Sequence, residues 1–147
     1  NIAHFGFSLL ILSILFNSLF SSEIITNLKV GETFEDLNTK IILKSIEQKE
    51  EKNFKSIIAN FNIENSKGII ENLSPELRIY NQPNIVTSEA DIKTTMMSDK
   101  FIVINVVQNQ DYFNVRYQVK PFMLWIWLSV LLISFGGLLS LFKKNYE

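Results

Sequence analysis

The stretch Pro121–Phe142, PFMLWIWLSVLLISFGGLLSLF, decides the fold because it is long, apolar and free of Asp, Glu, Lys and Arg. About 20 such residues in a helix cross the hydrocarbon core of a bilayer, so the stretch predicts a transmembrane helix. A second uncharged run, AHFGFSLLILSILFNSLFSS, covers residues 3–22 and predicts another. All Asp, Glu, Lys and Arg residues except Lys143, Lys144 and Glu147 lie between the two runs.

The segment between the runs, residues 23–120, is rich in Ile, Val, Phe, Thr and Asn and alternates as half-buried strands do. In FKSIIANFNIEN, for example, Ile57, Ala59, Phe61 and Ile63 share one face. The other alternating stretches are TKIILKSIEQ, in which Ile41, Leu43 and Ser45 share a face, ELRIYNQ, KFIVINVVQN and YFNVRYQV. We therefore expect about seven short strands that form either a small antiparallel sandwich or a partly open barrel. The periodicity of the strands is the same for both architectures. The polar EQKEEKN predicts a solvated turn, and QNQDY predicts a hairpin connection.

Two crossings place both ends of the chain on one side of the membrane and the β domain on the other. Lys143 and Lys144 favour a cytoplasmic end, and Trp125 with Trp127 suits the interface at the outer face. The predicted organisation is thus a membrane protein with two transmembrane α-helices flanking an antiparallel all-β extracytoplasmic domain. Its parts are a helix within 1–22 that lacks its N-terminal portion, the β domain at 23–120, a helix at 121–142 and a cytoplasmic tail at 143–147.

Two details of the apolar runs allow alternatives. A signal peptide is the alternative for residues 1–22, but the run has neither a basic region before it nor a small-x-small cleavage site near its end. Gly136 and Gly137 would let another helix approach closely, or would simply belong to a loosely packed span.

Composition narrows the chemistry that this chain can supply. A net charge of −1 gives no electrostatic case for binding nucleic acid. The chain has no cysteine, and therefore no disulfide or thiolate site of its own. Its single histidine gives no support to a Ser/His/Asp triad. Glu32, Glu35 and Asp36 cluster at a strand boundary, which predicts turn chemistry rather than a metal site.

The single histidine, His4, lies in the first apolar run, where titratable residues are rare and usually face protein or a cavity. Three interpretations stay open from the residues alone. His4 is a polar residue near the headgroup boundary, a hydrogen-bonding residue between helices, or a metal ligand, most plausibly an axial ligand of haem iron. One histidine completes no metal site, so a bis-histidine haem would need a partner from another helix.

The chain resembles the CcmF family of cytochrome c-type biogenesis haem lyase subunits along its whole length. IAHFGFSLLILSILFNSLFSSE is similar to the family's IAHLG, apolar helix and SS pair, although Asn17 stands where a glycine is expected. Gly31-Glu32 matches the family's GE turn, SPELRIYN its PEKRxY with Leu77 in place of lysine, and TSEADI its TEAAI. The closing VRYQVKPFMLWIWLSVLLISFGGLLSLF is similar to the family's VR…KP…WIWLG…GG helix.

The resemblance implies that this chain is the C-terminal portion of such a subunit, or one piece of a split version, in the bacterial inner membrane with its β domain in the periplasm. The family attaches haem covalently to the cysteines of CxxCH motifs in apocytochrome c, taking haem from the chaperone CcmE and the apocytochrome from a CcmH-type protein. His4 would ligate the iron of a transmembrane haem b that helps to reduce the incoming haem. The second ligand and the catalytic segment would lie outside this chain, which alone would be catalytically incomplete.

One alternative from another class is a non-catalytic, membrane-anchored β domain that acts as an assembly or docking subunit, with His4 as an interface residue. A further alternative keeps the family but assigns the chain to a dedicated cytochrome, such as one used in nitrite reduction.

Overall fold

The computed structural model describes residues 1–107 and 111–144, which form two helices and ten strands. Helix α1 (Ile2–Phe20) comes first and helix α2 (Met123–Lys144) last, as the two apolar runs predict. The strands between them are β1 (Ser22–Leu28), β2 (Thr33–Asp36), β3 (Thr39–Glu50), β4 (Phe54–Asn65), β5 (Ile70–Leu73), β6 (Glu76–Asn81), β7 (Asn84–Glu89), β8 (Asp91–Thr94), β9 (Ser98–Val106) and β10 (Phe113–Pro121).

The strands form two sheets that supply a common hydrophobic core. One sheet has the order β1-β10-β9-β8, and the other has the order β2-β3-β4-β6-β7 with β5 also pairing with β4. The pairs of the larger sheet are antiparallel. Buried apolar side chains come from both sheets: Leu28, Ile102, Ile104, Val115 and Tyr117 from the smaller, and Ile41, Leu43, Ala59, Phe61, Ile63, Leu73 and Leu77 from the larger. The predicted fold class, two terminal helices around an antiparallel all-β domain, is confirmed.

The strand prediction was incomplete in three places. Five strands were not recognised individually, because β1, β2, β5, β7 and β8 are short or poorly alternating. EQKEEKN is not one turn, since β3 continues through Glu50 and pairs with β4, where Lys55 Nζ lies 3.3 Å from Glu50 Oε1. The predicted hairpin at QNQDY falls largely on residues 108–110, which lie outside the described residues.

A bulge in β3 changes one predicted face. The register with β4 shifts between Leu43 and Ser45, so that Lys44 is an extra residue and Ile46 lies opposite the buried Ala59. An extra residue reverses which face each later side chain occupies. Ser45 therefore does not share the core face with Leu43, contrary to strict alternation.

The chain divides into two compact units. The helix unit contains Asn1–Ser22, Thr94–Lys100 and the described part of Val119–Glu147, and the β unit contains Glu23–Lys93 and the described part of Phe101–Gln118. Both helices are long and apolar enough to cross a membrane, and most of their side chains are exposed. Such exposure is typical of helices that contact lipid or further helices, since a core helix in a water-soluble protein is buried.

Candidate functional site

His4 lies in the first turns of α1, and its side chain is exposed. Its neighbours on the same face, Phe7 and Ile11, are 58% and 53% exposed. The Ser8 hydroxyl donates to the backbone carbonyl of His4 at 3.1 Å, so it does not occupy the imidazole. The role of His4 as a ligand therefore stays a prediction, but its ring is accessible to a group approaching α1 from outside the helix pair.

The other face of α1 contacts α2 through very small residues. A Cβ placed on Gly136 would lie 2.5 Å from the backbone nitrogen of Ala3 and 2.9 Å from its Cα. A Cβ on Gly6 would lie 3.0 Å from the side chain and the backbone nitrogen of Ile133. One of the two interpretations of the glycine pair is thus confirmed for Gly136, while Gly137 faces open space.

Polar residues in the same contact are satisfied within their own helix. Ser13 and Ser129 are almost fully buried, and their hydroxyls donate to the carbonyls of Leu9 at 2.7 Å and Trp125 at 2.6 Å. A serine that bonds the carbonyl four residues earlier adds little bulk and leaves no unpaired hydroxyl. These serines extend the close contact between the helices without a polar penalty.

Asn17 fastens the C-terminal end of α1 to the start of α2. Its side-chain amide donates to the carbonyl of Pro121 at 2.6 Å, and the ring of Phe16 lies 5.2 Å from that of Phe122. Ser21 closes the helix by bonding the carbonyl of Asn17 through both its amide and its hydroxyl. The asparagine that departs from the expected glycine thus has a defined structural role.

Ser13, Asn17 and Ser129 were not predicted to be contact residues, although the spacing along α1 carries a signal for the first two. Together with Ala3 and Gly6, the residues Ser13 and Asn17 recur at intervals of three and four or their sums, which places small and polar side chains on one helix face. That spacing alone could have identified the face of α1 that contacts α2.

The turn into α2 has a strained residue held by hydrogen bonds. Phe122 has a φ of 61°, which is uncommon for a residue other than glycine. Its amide donates to the carbonyl of Met97 at 2.8 Å, and Trp125 Nε1 donates to the carbonyl of Met96 at 2.8 Å. Trp127 is 62% exposed. The two tryptophans, which predict an interfacial position, therefore differ. The indole of Trp125 is fixed by a hydrogen bond, whereas the side chain of Trp127 is mostly exposed.

SPELRIYN carries an ion-pair network on β6. Arg78 donates to both carboxylate oxygens of Glu76 at 3.1 Å, and the Ser56 hydroxyl on β4 donates to Glu76 at 2.6 Å. The hydrogen bond from Arg78, followed by that from Ser56, holds the pKa of Glu76 below its ordinary value. Arg78 also lies over the ring of Phe54 and 3.8 Å from Glu89 on β7. The network therefore ties β6 to the strands on both sides of it.

Among residues 1–107 and 111–144, no three His, Cys, Asp or Glu side chains lie close enough together to hold a metal ion. In the acidic cluster, Glu32 accepts from the amide of Lys29 at 2.8 Å and Asp36 from that of Leu37 at 2.7 Å. The predicted turn chemistry is thus confirmed for these two carboxylates. The site residue predicted from the sequence is His4, and it would supply a single ligand.

Comparison with known proteins places these features in a family. The sequence model described as the CcmF C-terminal beta-sandwich matches residues 19–121. The cytochrome c-type biogenesis protein ccl1 of Rhodobacter capsulatus is 37% identical over 119 residues, which is 81% of this chain and 18% of the relative. The cytochrome c-type biogenesis protein CcmF of Pseudomonas fluorescens is 30% identical over 146 residues, which is 99% of this chain and 22% of the relative.

A solved structure named cytochrome c heme lyase CcmF superposes with a TM-score of 0.71 at 17% identity, covering 93% of this chain and 23% of that one. This likeness supports the fold, and the chain spans about a fifth of the length of the relatives it matches. The sequence model covers well over half of the chain and both sheets of its β domain. The chain therefore belongs to the CcmF C-terminal beta-sandwich family.

Proposed function

We propose that this chain is the C-terminal part of a haem lyase of cytochrome c maturation, and that His4 is one axial ligand of a transmembrane haem b. Family membership supports the cytochrome c biogenesis role, since the relatives carry that name. The observation that carries the ligand assignment is the exposure of His4 on an apolar helix face that α2 does not cover.

The residues around His4 fit a haem. The flanking side chains Phe7 and Ile11 are apolar and more than half exposed, so a porphyrin face would find hydrocarbon contact there. Neutral imidazole is a usual axial ligand, and its second ring nitrogen is left to a hydrogen-bond partner. A haem bound there would supply an iron that exchanges single electrons. His4 would hold that iron and α1 would orient the imidazole, whereas the second ligand would come from outside this chain.

The test is the absorption spectrum of the purified complete protein. His4→Ala should lower or abolish the b-type Soret and α bands, because the iron loses one ligand. Ser8→Ala is the matched control, since Ser8 is one turn away on the same face and bonds only the carbonyl of His4. Recovery of the spectrum on addition of imidazole would support the assignment. An unchanged spectrum in correctly folded His4→Ala protein would overturn it.

We propose further that the β domain is exposed on the periplasmic side of the bacterial inner membrane. The two apolar helices, with the β domain between them, support an arrangement in which both helices cross the bilayer. The β domain would then be available to the haem chaperone CcmE, to a CcmH-type protein and to apocytochrome c, which are the proposed partners. It would brace or dock these proteins rather than supply catalytic side chains.

The orientation can be tested by labelling with a maleimide that does not cross membranes. Lys67 lies in the exposed turn between β4 and β5 and is suited to substitution by cysteine. Lys67→Cys should react in intact spheroplasts to the same extent as after their lysis. Reaction only after lysis would contradict the periplasmic position.

A further inference from the structure

The turn that joins β8 to β9 has two exposed methionines, Met96 and Met97, at 68% and 64% exposure. We propose that this turn, Thr95–Ser98, lies in the interfacial layer of the membrane and that both methionine side chains contact lipid. The proposal rests on the membrane-spanning position of α2 within the proposed function. It adds a third membrane contact to the two helices.

The first support is that the turn satisfies its own polar backbone. The Thr95 amide and hydroxyl both donate to the carbonyl of Ser98, at 3.0 and 2.8 Å. The Ser98 amide in turn donates to the Thr95 hydroxyl at 3.1 Å. A segment that leaves water must have its backbone groups paired, because each unpaired group in hydrocarbon costs several kcal/mol. A turn that projects into water does not need such closure.

The second support is continuity with the start of α2, which belongs to the same compact unit. The two methionine carbonyls accept from Phe122 N and Trp125 Nε1, each at 2.8 Å. The carbonyls are thus turned toward α2 while the methionine side chains stay exposed. Tryptophan is enriched at membrane interfaces, and here its indole N–H fixes the turn at the level where the apolar helix begins. If α2 enters the membrane at this point, the turn enters the interface with it.

The third support is the local charge pattern. Residues 94–97 are uncharged, and the nearest charges, Lys93 and Asp99, lie on either side of the turn. Leu37 offers a contrast, because it is 94% exposed in a turn of the β domain but directly follows Asp36 and Glu35. Carboxylates are repelled by anionic headgroups and are costly to remove from water. An exposed apolar residue therefore points to lipid at Met96 and Met97, but not at Leu37.

The experiment places an environment-sensitive NBD fluorophore on single cysteines in the complete protein, reconstituted in vesicles of phosphatidylcholine and phosphatidylglycerol. This chain contributes no cysteine of its own, so only cysteines in the rest of the complete protein have to be replaced before labelling. The test positions are Met96→Cys and Met97→Cys. Leu37→Cys is the water control, and Leu131→Cys is the lipid control, since Leu131 is 66% exposed in the middle of α2.

The expected result is blue-shifted emission at Met96 and Met97, with quenching by shallow nitroxide lipids at least about twofold stronger than at Leu37. Emission and quenching like those at Leu37 would overturn the proposal. Blue-shifted emission without lipid quenching would also overturn it, since it would show burial against protein. The Leu131 label separates the two levels of inference. If Leu131 is quenched by nitroxides placed deep in the acyl chains while the turn is not quenched by shallow ones, only the interfacial turn fails. If neither position is quenched, the membrane-spanning position of α2 fails as well.

Discussion

Adding one methyl group at Gly136 should separate the two helices. The added Cβ would lie 2.5 Å from the backbone nitrogen of Ala3 and 2.9 Å from its Cα and Cβ. Ordinary contact begins near 3.4 Å, so the helices would have to move apart by about 1 Å at this point. Backbone atoms cannot rotate away as a flexible side chain can. The strain therefore falls on the whole contact between α1 and α2.

The magnitude follows from two opposing effects. Overpacking a close contact costs about 1–3 kcal/mol. Replacing glycine by alanine within a helix gains up to about 1 kcal/mol in intrinsic propensity. Gly137→Ala receives the same gain, but its Cβ would meet open space. The free energy of unfolding of Gly136→Ala should therefore lie about 1–3 kcal/mol below that of Gly137→Ala, whatever the propensity in a membrane environment.

The assay is unfolding of the complete protein by sodium dodecyl sulfate in mixed micelles, followed by tryptophan fluorescence, because Trp125 lies beside the contact. Ala3→Gly in the Gly136→Ala background should restore part of the loss, since it removes the Cβ of Ala3 but leaves its backbone in place. Equal stability of the two alanine variants would refute the close contact. Greater damage from Gly137→Ala would show that α1 contacts the other glycine.

Three further predictions concern polar and titratable groups. Burial, with the nearby charge of Glu71, raises the pKa of Tyr117 to about 12, so this group's contribution to stability, up to about 3 kcal/mol, should be lost as the pH rises from about 10 to 12. Tyr117→Phe should remove that alkaline loss in chemical denaturation. The pKa of Glu76 is lowered in the folded state, so its ionised carboxylate stabilises the fold above pH 4.5, and this stabilisation is lost as the pH falls through the folded-state pKa. Glu76→Gln should therefore be less stable at neutral pH, and its stability should depend less on acid in the same experiment. Asn17→Leu leaves the Pro121 carbonyl without its 2.6 Å hydrogen bond and should cost about 1–3 kcal/mol in micelle unfolding.

Strong periodicity made the main elements of the fold predictable. Two uncharged runs gave both helices, and alternation in FKSIIANFNIEN gave the buried face of β4 from Ala59 to Ile63. The errors fall where pairing with a neighbouring strand, rather than a strand's own alternation, determines its structure. The bulge at Lys44 is set by the register of β3 against β4, and the charged end of β3 is held in the sheet by its partner strand. Neither effect leaves a signal in a single strand's own alternation.

The candidate site was predictable in part for a similar reason. His4 is conspicuous because an imidazole in an apolar run needs a partner or a ligand. The face of α1 formed by Ala3, Gly6 and Ser13 is harder to identify from the sequence. Glycine, alanine and serine have no feature that distinguishes a helix contact from a loosely packed span. Only the 2.5 Å approach to Gly136 separates those interpretations. Contacts between helices are properties of pairs, which one helix's residue pattern does not contain.

The angular position of His4 restricts where a second haem ligand would come from. Successive helical residues are about 100° apart, so His4 lies about 100° and 160° around α1 from Ala3 and Gly6, two residues that contact α2. Under the proposed function, a helix bearing the second ligand would approach the face of Phe7 and Ile11. Ile11→Cys in the complete protein should therefore cross-link to cysteines placed along that helix, and Ser13→Cys, on the α2 face, should not. Cross-linking through Ser13 alone would place the partner helix on the wrong side for His4, and the ligand assignment would fail even if the family's activity were retained.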